Sequence, residues 1–220
     1  MIIGVVGLIG AGKDTIADYL VNIHQFRRES FANTLKDAVS SVFGWDRELL
    51  EGRTRHSREW REQVDAWWAA RLNMPTLTPR WVLQHWGTEV VRRSFHDDTW
   101  IASLENKLRK TTDDVVISDC RFPNEILAIK SAGGIVIRVR RGADPDWYHS
   151  AEIVNSGPHN MTWATEKTAL ERYNIHASET AWIGTEFDAV IDNNSTMDHL
   201  YFQITHLVQD LQHARADLPI

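Results

Sequence analysis

Nine residues near the start of the chain, Gly7-Leu8-Ile9-Gly10-Ala11-Gly12-Lys13-Asp14-Thr15, are suited by type and spacing to one task, holding a chain of phosphates. Gly7 and Gly12 stand at the two glycine positions of G-x-x-x-x-G-K, where the backbone curls and its N–H groups converge on an anion. Lys13 adds a mobile positive charge for β- and γ-phosphates. The first turn of a following helix adds partial positive charge from its unpaired amides. Together Gly10, Ala11, Gly12, Lys13, Asp14 and Thr15 form the expected phosphate cradle. Asp14 stands where a serine or threonine usually ligates magnesium, and the hydroxyl comes one position later, at Thr15. Asp14 is therefore a candidate to hold magnesium directly or through water, with Thr15 beside it at the α-phosphate or the metal.

A second group of residues points the same way. Asp114 to Asp119 reads as a short buried strand ending in a carboxylate. Ligands of α/β sheets bind beyond the carboxyl ends of the strands, so Asp119 is expected to emerge beside the cradle and hold magnesium or its waters. Arg121 follows, and Pro123 with Glu125 opens the next helix. Arg138, Arg140 and Arg141 leave another strand and suit the spread charge of a transferring phosphoryl group, although Arg138 reads equally as a cap on the strand edge. Beside Asp119 stands Cys120, where a hydrolase often carries a second acid to orient water. Transfer to a bound acceptor fits better.

These groups need elements to position them. The apolar run Ile2 to Val6 reads as a strand buried on both faces, and Asp14 to His24 as the helix of a βα unit. Thr34 to Phe43 predicts a second helix, closed by Gly44, with Lys36 on the face opposite its apolar stripe. Trp45 to Arg71 is charged and tryptophan-rich and reads as a helical insertion. Thr78 and Pro79 open a helix expected to run to about Phe95, on which Arg80, Gln84, Thr88 and Arg92 share a stripe suited to a polar ligand or to solvent. Trp100 to Leu108 is a further helix. Ile135 to Val139 and Phe187 to Asp192 are strands, the stretch from Ala143 to Ile183 is polar and irregular with one helical piece, and Met197 to Ala214 closes the chain as an amphipathic helix. His176-Ala177-Ser178-Glu179 looks reactive, yet nothing in the sequence supplies an elbow for a Ser178 nucleophile.

At 220 residues, 43% of them hydrophobic, the chain suits one globular domain with insertions. A net charge of −6 without a basic block argues against a nucleic acid polymer as partner. The single cysteine, Cys120, excludes an internal disulfide framework. No apolar run approaches the roughly 20 residues that span a bilayer, and no basic region precedes a cleavable apolar core, so no membrane association and a cytoplasmic location are expected.

In their order along the chain these motifs resemble the deoxynucleoside monophosphate kinases of tailed bacteriophages, a branch of the P-loop kinases. The likeness runs nearly end to end. It rests on Gly7 to Thr15 with its Lys-Asp-Thr ending, Phe31-Ala32 with Leu35-Lys36, Gln84 to Glu89 followed by Trp100, and Asp119 to Glu125. Toward the end of the chain it continues through Arg141-Gly142, His176 to Glu179, and Asp192 to Ser195. The segment from Gly142 to Asn174 looks longer than the family usually has.

The resemblance implies a three-layer α/β/α P-loop fold with a parallel five-stranded sheet. It divides one domain, 1–220, into a core (1–44, 114–141, 184–220), a helical acceptor-binding insertion (45–113) and a lid (142–183). It implies transfer of the ATP γ-phosphate, with Mg2+, to a deoxynucleoside monophosphate. Lys13, Arg121, Arg141 and Asp119 would be catalytic. The cradle, with Asn193, Asn194 and Ser195 near the adenine, would bind ATP. Phe31, Lys36, Arg80, Gln84, Thr88, Glu89, Arg121 and Glu125 would bind the acceptor. His176, Ser178 and Glu179 belong to the lid, and Asp14, Thr15 and Asp119 to the metal. A homodimer through the tryptophan-bearing helices from Trp45 to Arg71 is a further expectation. Dephospho-coenzyme A kinase and phosphomevalonate kinase share a similar cradle and size, but Gln84 to Glu89 favours a nucleotide acceptor. A partner-coupled P-loop ATPase and a non-catalytic nucleotide-binding module are the readings outside small-molecule kinases.

Overall fold

A computed structural model of the chain describes residues 1–159 and 161–216, with side chains as far as Ala214. Asn160, inside the segment expected as a lid, and residues 217–220 lie outside them. The elements begin β1 (Ile2–Val6), α1 (Lys13–His24), β2 (Arg27–Glu29), α2 (Asn33–Phe43), α3 (Arg47–Glu51), α4 (Arg55–Arg61), α5 (Ala66–Leu72) and α6 (Pro79–His85). A π-helix (Trp86–Arg93) and α7 (Thr99–Leu108) follow, then β3 (Val115–Ile117), α8 (Pro123–Ser131), β4 (Ile135–Arg140), α9 (Tyr148–Asn155), α10 (Trp163–Arg172), α11 (Ala177–Thr180), β5 (Ala189–Asp192) and α12 (Met197–Ala216). They form two compact units: Met1–Ser30 with Leu108–Ile220, and Phe31–Lys107.

The first unit is built on a five-stranded sheet, all parallel, in the order β2-β3-β1-β4-β5. β1 is central, with Ile3 paired to Val116 on one side and to Ile135 on the other. On one face Ile3, Val5, Ile137 and Val139 pack with Ile16, Ala17 and Leu20 of α1 and with Leu200, Ile204 and Val208 of α12. Each Val, Leu or Ile of this set, fully withdrawn from water, contributes about 1.5–3 kcal/mol before entropy is counted. α8 packs against β1 and β4 through a separate set of buried residues that includes Ile126 and Ile129. Helices therefore cover both sides of the sheet, the three-layer α/β/α arrangement.

The stretch between β4 and β5, expected to be irregular apart from one helical piece, carries three helices. α9 and α10 pack on each other. The Trp163 indole N–H donates to the Val154 carbonyl at 3.0 Å, and the Asn155 amide donates to the carbonyls of Thr180 and Ile183 at 2.7 and 2.8 Å. Trp182 and Ile183 are fully buried. Long-range side-chain bonds and a few large apolar anchors order this stretch, which is why its polar composition misleads.

The second unit is helical. Leu35, Val39, Trp45, Leu50, Leu77, Val82 and Trp100 form its core, with Phe43, Trp60, Trp68 and Trp86 packed against them. Phe43 and Trp45 stack at 4.5 Å between ring centroids. The indoles of Trp45, Trp68 and Trp100 donate to Asp65 Oδ2 and to the carbonyls of Phe43 and Gly87, at 2.8, 3.0 and 3.0 Å. Much of the tryptophan content is thus explained by an aromatic core whose polar edges are satisfied.

Here the expected long helix is corrected. Thr78 caps α6 by accepting from the Trp81 N–H at 3.1 Å, and Pro79 opens it, but α-geometry ends at His85. From Trp86 to Arg93 the turns are π, with hydrogen bonds closing five residues back, so the four-residue stripe of Arg80, Gln84, Thr88 and Arg92 does not continue along one face. The side chain of Lys36, expected opposite the apolar stripe of α2 and as a candidate for the acceptor, is 14% exposed and ion-paired to Glu51 at 2.8 Å.

Candidate active site

Between β1 and α1 the chain makes the expected cradle. Gly12 takes φ 105° as it enters the helix, and a Cβ there would lie 2.5 Å from the Asn193 side-chain nitrogen. At Gly7, φ 152°, a Cβ would meet the Val139 carbonyl oxygen at 2.5 Å. Both positions demand glycine on conformation and on space. Lys13 folds back over the loop, its Nζ donating to the carbonyls of Gly7 and Leu8 at 2.6 and 2.9 Å. Burial pushes its pKa below the ordinary lysine value, against the opposing pull of the nearby Glu179 carboxylate.

A cleft of about 580 Å³ opens on this loop. Gly10, Gly12, Lys13, Asp14 and Thr15 form one wall, and Arg141, Asn193, Ser195, Thr196 and Met197 form the other. The far wall follows the ends of β4, which pairs with β1, and of β5, which pairs with β4. The Asn193 amide donates to the Ala11 carbonyl at 2.8 Å, and Asn194 Oδ1 accepts from the Gly142 N–H, so the loop after β5 braces both the cradle and the turn that follows Arg141.

On the other side of β1, Asp119 lies just past the end of β3 and accepts from the Ser30 hydroxyl at 2.8 Å. The Ser118 hydroxyl approaches Asp14 Oδ1 at 3.3 Å, and Arg28 faces the same carboxylate at 3.8 Å. Magnesium bound with a nucleotide takes one or two protein oxygens and fills its octahedron with phosphate and water. Asp14, Thr15 and Asp119 suit that role. Among the described residues no group of three or more His, Cys, Asp or Glu side chains is placed to cage a metal by itself.

Arg121 leads into α8 with its backbone fixed: Glu125, buried at 4% exposure, accepts from the N–H groups of Arg121 and Phe122 at 2.8 and 3.2 Å. Its guanidinium donates to Ser178 Oγ at 3.1 Å and faces Glu179 at 3.5 Å. Of the three residues expected in a lid, Glu179 also meets the cradle, its Oε2 accepting from the Ile9 N–H at 3.1 Å, while Ser178 meets Arg121 and His176 meets Ser178. Sequence reading gave no signal of the Ile9–Glu179 contact, across 170 positions, or of Thr196 and Met197 in the cleft wall.

Of the three arginines ending β4, only Arg141 lines the cleft. Arg140 pairs with Asp192 at 3.1 Å. Arg138 pairs with Asp144 and lies over the rings of Tyr148 and Trp182, 4.5 and 5.6 Å from their centroids. It is a structural residue.

Phe31, Lys36, Arg80, Gln84, Thr88 and Glu89 belong to the helical unit. Phe31 is buried. Arg80 faces Glu62 at 3.3 Å, and Glu89 pairs with Arg93 at 2.7 Å from the π-helix.

No protein-family model matches the chain. It is 29% identical over 225 residues, 96% of this chain and 97% of the other, to a protein of Acanthamoeba polyphaga mimivirus provisionally named a deoxynucleotide monophosphate kinase. It is also 28% identical over 174 residues to the deoxynucleoside-5'-monophosphate kinase of Escherichia phage T5, covering 57% of this chain and 70% of that one. Along nearly its whole length the chain is thus similar to a protein named for deoxynucleotide monophosphate kinase activity, and these relatives support a phage-type P-loop kinase family. P-loop kinases use ATP with a divalent metal. Among solved structures, dephospho-CoA kinase from Campylobacter jejuni aligns with 97% of this chain and 98% of its own at 13% identity and a TM-score of 0.46. The three-layer α/β/α fold of this chain is read from its own strand order and helix packing, independently of that likeness. No helix among its described residues is long and apolar enough to cross a membrane.

Proposed function

We propose that the protein transfers the γ-phosphoryl group of ATP to a deoxynucleoside monophosphate, yielding the diphosphate and ADP. The observation that carries the reading is the single cleft in which Lys13, Asp14 and Thr15 face Arg141 and Asn193. In this reading ATP lies with its phosphates on the N–H groups of Gly10 to Thr15 and its adenine toward Asn193, Asn194 and Ser195. Asp14, Thr15 and Asp119 would hold Mg2+ or its waters, and the bound ion would supply charge neutralisation to the phosphates.

The acceptor's phosphate oxygen is already anionic at neutral pH, so it attacks without a general base. Its bond to the γ-phosphorus forms as the bond to the β,γ-bridging oxygen breaks, and ADP departs with the electron pair. Positioning and charge neutralisation carry the catalysis. Lys13 and Arg141 supply the charge. Arg121 grips the acceptor phosphate, its backbone held in place by Glu125. The helical unit, through Phe31, Lys36, Arg80, Gln84, Thr88 and Glu89, holds the acceptor nucleotide, and residues 142–183 act as the lid. Packing of Trp45, Trp60 and Trp68 into the helical unit's core leaves Trp67, 64% exposed, as the aromatic a homodimer through this insertion would use.

ADP formation from ATP and magnesium, measured without acceptor and then with each deoxynucleoside monophosphate, tests this function. ADP should appear only with certain monophosphates and in step with new diphosphate. Equal ADP release without acceptor would instead mark an ATPase.

A further inference from the structure

Glu179 occupies a position that belongs, chemically, to a phosphate. One carboxylate oxygen accepts from the backbone N–H of Ile9 in the cradle at 3.1 Å. The other faces the Arg121 guanidinium at 3.5 Å. A converging backbone amide and an arginine are the donors that phosphoryl oxygens recruit. Resting on the kinase reading above, we infer that Glu179 is an internal occupant of a phosphoryl subsite formed by Ile9 and Arg121, and that an incoming phosphoryl group displaces it.

Two further observations support the exchange. The Glu179 side chain is only 15% exposed, and its charge is felt at Lys13, where it partly offsets the effect of burial. A carboxylate this close to the cradle opposes any second anion there. The surrounding strap is also pinned without it. Ser178 Oγ accepts from Arg121 at 3.1 Å and pairs with His176 Nδ1 at 2.8 Å, while His176 Nδ1 also accepts the Ser178 N–H at 3.2 Å. Glu179 can therefore leave by a side-chain rotation while Ser178 keeps Arg121 at the site. The phosphoryl group has two sources, the γ-position of ATP and the phosphate of the acceptor.

Calorimetric titration of the full chain and of Glu179→Gln, with Glu179→Ala as a second variant, tests the inference. The ligands are MgATP, MgADP, a deoxynucleoside monophosphate and inorganic pyrophosphate. Removing the charge is expected to tighten at least one of them about tenfold. Tightening of ATP but not ADP assigns the subsite to the γ-phosphoryl group, and tightening of the monophosphate assigns it to the acceptor. Unchanged or weaker binding of every ligand overturns the inference, the weaker result marking Glu179 as a residue that holds Arg121 in place. An unaltered chain that binds no ATP would overturn the kinase reading instead, and pyrophosphate would still read the Glu179 contact.

Discussion

The side-chain amide of Asn193 donates to the carbonyl of Ala11 at 2.8 Å, joining the loop after the last strand to the middle of the phosphate cradle across 182 positions. It is one wall of the cleft reaching over to fix the other. Asn193→Ala removes one hydrogen bond, worth about 1 kcal/mol to stability, and is expected to raise the KM for ATP severalfold while the protein stays folded. Gly12→Ala is expected to be harsher, because a Cβ there meets the same amide at 2.5 Å with φ at 105°. Thermal unfolding and initial rates over a range of ATP concentrations check both.

Lys13 is held as a partly buried cation, its pKa lowered chiefly by loss of water. The folded state therefore bears a penalty while Lys13 is charged, and the penalty is relieved as pH rises through the lowered pKa toward the unfolded value of 10.5. Lys13→Met is expected to abolish transfer and yet to match or exceed the parent in stability at neutral pH. Denaturant unfolding at pH 7 together with the transfer assay separates the two effects. A folded variant with near-normal turnover would remove Lys13 from the mechanism.

In the helical unit, burial pushes the Glu51 carboxyl up, but hydrogen bonds and charge from Lys36 and Arg47 outweigh it and hold the pKa below the ordinary value. Its contribution to stability is present above the unfolded pKa of about 4.5 and is lost as pH falls through the lowered folded value. Glu51→Gln is expected to cost on the order of 2 kcal/mol at neutral pH, since Lys36 loses its anionic partner while Arg47 retains Asp37, and to flatten the acid limb of the stability curve. Unfolding free energy measured from pH 7 down to pH 3 checks the sign.

Tyr148 reports on the Arg138 stack. Burial raises its phenol to about 12, and the Arg138 guanidinium opposes that rise from 4.5 Å above the ring. Arg138→Leu is expected to move the Tyr148 transition still higher and to lower the melting temperature. Near-ultraviolet absorbance in an alkaline titration follows the phenol directly, and a transition that moves down instead would show that Arg138 does not act through its charge.

Wherever neighbours in sequence are neighbours in space, the amino-acid order alone was informative. The apolar run Ile2 to Val6, the glycines at 7 and 12, and the carboxylate at the end of the Asp114 to Asp119 run each carry their structural role in local pattern. The cradle and the place of Asp119 beyond a strand end were read from them, whereas the parallel five-stranded sheet was implied by the family resemblance. Steric demand at Gly12 and the register that sets β1 between β3 and β4 are consistent with the same reading. What tertiary structure decided is where charged side chains end up, because a charge is placed by partners that can come from any part of the chain. Arg138, Arg140 and Arg141 are near-identical in sequence terms, yet one stacks on Tyr148 and Trp182, one pairs with Asp192, and one reaches the cleft. Lys36 meets Glu51 because α2 and α3 pack together, and Glu179 meets Ile9 because the strap of α11 lies against the cradle. The π-helix escaped for a related reason. Gly87, Thr88, Val90 and Val91 are weak helix formers, but propensity does not separate a five-residue turn from a four-residue one, and the Trp100 indole that donates to the Gly87 carbonyl comes from 13 positions away.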